Sequence, residues 1–155
     1  QFHDSGPWPQ NKVSALDRAL GEVGRILEKK NASDQASCKT LGGFNSLTRI
    51  LMTIEDATLI LPCVIPSKSL THATDVYRLA CKNNFDNCHY MLFSNKMGTL
   101  VDHLINRLNA MMPEDFGCPG STINGGSDSS SEINSLPFDP VCSGLMQVLS
   151  TVLSC

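Results

Sequence analysis

Apolar residues recur along much of this chain at alternating steps of three and four, the spacing that lines one face of an α-helix. In residues 12–30, Val13, Leu16, Leu20, Val23 and Leu27 make one such stripe. Ser14 with Asp17 resembles a capping box there, and Lys29 and Lys30 suit the negative end of the helix dipole. Gly21 lies beside the stripe, where a missing side chain would let another helix come close. Residues 45–61 predict a second helix with Leu47, Ile50, Leu51, Ile54 and Leu61 near one face. Its latter half is apolar almost all round, which predicts a central position, and Pro62 ends it. Residues 63–66 read as an extended connector.

Ser69 is placed to cap a third helix over residues 71–83, with Ala73, Val76, Tyr77 and Ala80 inward. The strongest pattern covers residues 97–112, where Met97, Leu100, Val101, Leu104, Ile105, Leu108, Met111 and Met112 form a broad stripe stopped by Pro113. A last helix begins with Asp139 as N-cap and Pro140 as its first residue. Residues 1–10 read as an extended lead-in. Residues 117–138, rich in glycine, serine and asparagine, read as a flexible loop with Cys118 fastening one end. The fold expected is all-α: a single domain over residues 1–155, a disulfide-stapled four- or five-helix bundle with a long Gly/Ser-rich loop before the last helix.

Composition narrows the function. A chain of 155 residues with 41% hydrophobic and 17% charged residues can bury a sizeable core. Its net charge of −3, without a basic run beyond Lys29 and Lys30, argues against nucleic acid as a partner. No apolar stretch approaches the roughly 20 residues of a transmembrane helix.

The seven cysteines Cys38, Cys63, Cys81, Cys88, Cys118, Cys142 and Cys155 are scattered, and the tightest spacing is C-x6-C. Zinc sites announce themselves as closer pairs. Scattered cysteines fit long-range disulfides, which persist in oxidising compartments. The chain opens QFHDSGPWPQ, without an initiator methionine, as after removal of a signal peptide. Asn31-Ala32-Ser33 is an N-glycosylation acceptor. Together these predict a secreted, extracellular glycoprotein. The odd cysteine count leaves one thiol over, for a disulfide-linked homodimer through Cys155 or for a staple within the monomer.

Catalytic chemistry has no positive signal. Cys88 and His89 are adjacent, and neighbours in a helix diverge by about 100°, so the reading is Cys88 in a disulfide and His89 on the surface. His3, His72, His89 and His103 show no metal spacing, and His103, beside Asp102, is expected to be solvated. No cofactor is implied.

What remains is binding. Met52, Ile54, Met97, Leu100, Val101, Leu104, Leu108, Met111, Leu145 and Leu149 are candidates to line an adaptable apolar pocket, since thioethers re-pack around varied shapes. The expected function is a secreted, non-enzymatic carrier of an apolar small molecule or lipid. The alternatives are an extracellular protein ligand for a receptor, presenting the 119–138 loop and the tail with Phe2 and Trp8, and a structural or storage protein cross-linked by disulfides.

Overall fold

A computed structural model describes residues 9–52, 65–111 and 138–155. Among these residues there are seven helices and no strand: α1 (Gln10–Glu28), α2 (Ala32–Thr40), α3 (Gly43–Met52), α4 (Ser67–Cys81), α5 (Phe85–Phe93), α6 (Lys96–Met111) and α7 (Pro140–Leu153). The class is all-α, as the periodicity predicts, but with more helices than four or five. The second half of the 45–61 helix, Pro62, Cys63 and Cys118 lie outside the described residues. So does nearly all of the 117–138 loop. Of the lead-in only residues 9 and 10 are described, and α1 already begins at Gln10.

The middle of the fold is α4, which packs against α1, α2, α3, α5 and α7. It holds that place because its inward residues Leu70, Ala73, Val76, Tyr77 and Ala80 are apolar or aromatic and nearly wholly buried. Tyr77 packs on Phe44 of α3 with ring centroids 5.2 Å apart, and its hydroxyl lies 2.9 Å from Thr48 Oγ1, so the one polar atom of this large buried side chain is satisfied. Against the other side lies α7, where Gly144 permits the close approach. A Cβ at that position would come within 2.1 Å of Thr74 Oγ1. Gly21 meets nothing within 4 Å, so the close contact expected of it is found at Gly144 instead.

Four residues with positive φ stand just past helix ends: Lys30 after α1, Gly42 after α2, Asn83 after α4 and Asn95 after α5. A left-handed residue there turns the chain and frees it to start the next helix. Asparagine then opens that helix twice. Asn31 caps α2 by accepting from the Ser33 N–H at 3.0 Å, and Asn84 caps α5 by accepting from the Asn87 N–H at 3.0 Å. Asp139 caps α7 as expected, but α1 and α4 start behind Pro9 and Pro66 without a side-chain cap. Ser14 and Ser69 therefore lie inside their helices, and Ser69 is buried.

The two nine-residue helices are too short to stand alone. Buried polar ties hold them to α4. Gln35 Nε2 donates to the carbonyls of Leu79 and Lys82, both at 2.9 Å, and its Oε1 accepts from Asn84 Nδ2 at 3.1 Å. Asn87 Nδ2 donates to the Gln35 and Ala80 carbonyls at 2.9 and 2.8 Å. The C-terminal end of α4 is thus capped by side chains from α2 and α5.

Candidate functional site

The end of α4 gathers sulfur. Cys81 closes the helix, and the Cys88 thiol donates to its carbonyl at 3.2 Å, while Cys155 Sγ lies 3.8 Å from the same oxygen. Cys38 stands close enough to add to the electrostatic load on Cys81. All four are free thiols, as is Cys142. The disulfide staples expected of the scattered cysteines are therefore absent among the described residues. Cys81 and Cys88 are 0% and 1% exposed and pack as small apolar side chains instead.

Burial also suppresses the reactivity of Cys38, Cys81 and Cys88. It pushes Cys81 and Cys38 above the usual thiol range and Cys88 up to about 12, the neighbouring sulfurs adding to the rise at Cys81 and Cys88. A thiol held protonated is neither a nucleophile nor a metal ligand. No group of three histidine, cysteine, aspartate or glutamate residues among the described ones is arranged to hold a metal ion. Cys142 sits apart, donating to Asp139 Oδ2 at 3.3 Å.

Cys88 and His89 point away from each other. Cys88 faces the core, whereas His89 lies on the exposed face of α5 and stacks on Phe93 at 4.2 Å between ring centroids, with Phe85 at 5.9 Å on its other side. Phe85 is 66% and Phe93 77% exposed. Phenylalanine at positions i and i+8 with histidine between them makes an aromatic row about 12 Å long at 1.5 Å per residue. Lys39, Asp86, His89, Tyr90, Phe93 and Ser94 line a surface groove of about 430 Å³ beside it. Lys96 Nζ lies 6.0 Å from the Tyr90 ring centroid and contacts Asn45 Oδ1. The F-x3-H-x3-F spacing was present in the sequence, but it follows the double asparagine at which α4 ends.

The proposed pocket residues come together only in part. Leu100 and Leu145 lie in the core, with Met97, Leu104 and Leu149 packed against it. Val101 and Leu108 face outward, Met52 and Met111 are half-buried, and Ile54 lies outside the described residues. His103 is 1% exposed rather than solvated, because the inward line of α6 runs through Leu100 and His103. Asn31 is exposed, and its side-chain oxygen is engaged in capping α2. Phe2, Trp8 and residues 119–137 lie outside the described residues. No described helix is long and apolar enough to cross a membrane.

No family model matches this chain. It is 42% identical over 156 residues to the Homo sapiens protein described as S phase cyclin A-associated protein in the endoplasmic reticulum. The match takes in 100% of this chain and 10% of that protein, so the chain spans about a tenth of the length of the curated relative it matches. This likeness, together with the free thiols, overturns the secreted reading. Secretion, glycosylation and disulfide staples are withdrawn. With them go the extracellular lipid carrier, the extracellular ligand and the cross-linked storage protein, and a disulfide-linked homodimer has no support.

Proposed function

We propose that this chain is a non-enzymatic helical docking domain, one unit over its whole length, that contributes to association with cyclin A in a reducing compartment at the endoplasmic reticulum. The observation that carries the reading is the 42% identity, maintained across the full chain, to a protein described by that association and that location. The geometry agrees with it. Five cysteines that are free among the described residues suit a reducing compartment. An exposed aromatic row is the kind of surface that proteins keep for partners rather than for solvent.

The test is isothermal titration of recombinant cyclin A into the purified reduced chain. Saturable binding of one cyclin A per chain, with a dissociation constant in the micromolar range or tighter, supports the reading. Absence of heat and of co-elution at concentrations of about 100 μM overturns it.

A further inference from the structure

The outer face of α5 carries an exposed aromatic surface beside a groove. The row of Phe85, His89 and Phe93 is aromatic and exposed over about two turns, and Leu92 on the same short helix is 45% exposed. Tertiary packing does not account for these side chains. The helix is anchored by its other face, through Asn87, Cys88 and Met91, which are 0%, 1% and 0% exposed.

The burial of the charged residues then narrows the partner. The groove beside the row carries Lys39 on its α2 wall and Asp86 on its α5 wall. Neither forms an ion pair among the described residues. Lys96 lies near Tyr90 but is engaged with Asn45 and does not line the groove. The groove lining itself carries one cation and one anion. The two unpaired charges are not equivalent. Asp86 is exposed, so solvent screens it, whereas Lys39 is half-buried, where a pair gains more because the surroundings are less polarisable.

We infer that the α2–α5 groove docks a segment of a protein partner that lays an apolar side chain on the Phe85–Phe93 row and sets a carboxylate against Lys39. The inference rests on the docking function proposed above and names the surface that performs it. An aromatic anchor with a flanking charge pair is the arrangement in which a few residues dominate affinity.

The experiment compares four single variants of the whole chain, Phe93→Ala, Phe85→Ala, Lys39→Glu and, as a control on the outer face of α6, Ile105→Ala, in titrations with recombinant cyclin A. Ile105 is also exposed, at 48%, and lies on a different helix. Three of these side chains are exposed and Lys39 is half-buried, so circular dichroism should show unchanged helix content, and a variant that loses it is replaced by Phe93→Leu or Lys39→Gln. The inference expects roughly tenfold or greater weakening for the three α2–α5 variants and none for Ile105→Ala. It also expects the affinity of the wild-type chain to fall as salt rises, with this dependence reduced in Lys39→Glu. Wild-type binding that all four variants retain overturns the groove and leaves the docking function standing. A wild-type chain that does not bind overturns the docking function itself.

Discussion

Arg107 reaches from α6 to the head of α7 and donates two hydrogen bonds to Oδ2 of Asp139, from Nε at 2.9 Å and from Nη2 at 2.6 Å. The other carboxylate oxygen accepts from the Val141 N–H at 2.9 Å, so one side chain both caps α7 and fastens it to α6. Both partners are largely buried, with side chains 19% and 12% exposed. Asp139→Ala should therefore cost about 3 kcal/mol, combining a lost cap with lost charge-assisted bonds. Asp139→Asn keeps the cap acceptor and should cost roughly half as much. Urea unfolding followed by circular dichroism measures both.

The same residue sets an acid limit on stability. Burial alone raises the Asp139 pKa, but hydrogen bonds from Arg107, Val141 and Cys142 outweigh it and hold the carboxyl below its ordinary value of 3.8. A depressed pKa contributes stability that is fully present above the unfolded value and is lost as pH falls through the folded one. Unfolding free energy should thus be insensitive to this pair above about pH 5 and decline below pH 4. In Asp139→Asn that part of the decline should be missing.

Gly144 lies against Thr74 where α7 crosses α4. A Cβ at Gly144 would stand 2.1 Å from Thr74 Oγ1 and 2.9 Å from its Cβ, so Gly144→Ala should destabilise by about 1–3 kcal/mol through overpacking. Adding Thr74→Ala removes the hydroxyl and methyl but leaves the Cβ, and should restore part of the loss. Strictly additive costs in a double-mutant cycle would contradict this contact.

The reach of the sequence follows from the same details. The starts of α6 and α7 were legible because their apolar spacing is long and Asp139-Pro140 is a specific opening signal. By contrast α2 and α5 were missed. Each is nine residues long, and each is delimited by Lys30-Asn31 or Asn83-Asn84, pairs in which the first residue turns left-handed and the second caps. Read linearly, such pairs look like loops. The cysteines misled for a different reason: scattered spacing is what disulfides require, but it is equally what buried thiols produce when they fill core positions. His103 was misplaced because the stripe on α6 is broad enough to be rotated by a residue, which puts Val101, Ile105 and Leu108 outside. The aromatic row on α5 became legible only once that segment was known to be a helix.

Gln35 illustrates how much of the fold depends on polar ties the periodicity cannot show. Truncation by Gln35→Ala leaves the Leu79 and Lys82 carbonyls and the Asn84 amide without their partner, in a region where Gln35 is only 3% exposed. The expected loss is about 3 kcal/mol. Faster amide exchange should appear in α2 and α5 before it appears in α1, and equal protection of all three helices in the variant would count against the role given to this side chain.

Free thiols fill space in and around the helical core, and their redox state can be counted. Chain taken from its natural source, denatured in iodoacetamide without reductant and analysed by peptide mass spectrometry, should carry an adduct on each of Cys38, Cys81, Cys88, Cys142 and Cys155. In the folded chain exposed Cys155 should label first and Cys88, pushed up to about 12, far more slowly. Disulfide-linked peptides joining any of these five cysteines in the protein as isolated would contradict this reading.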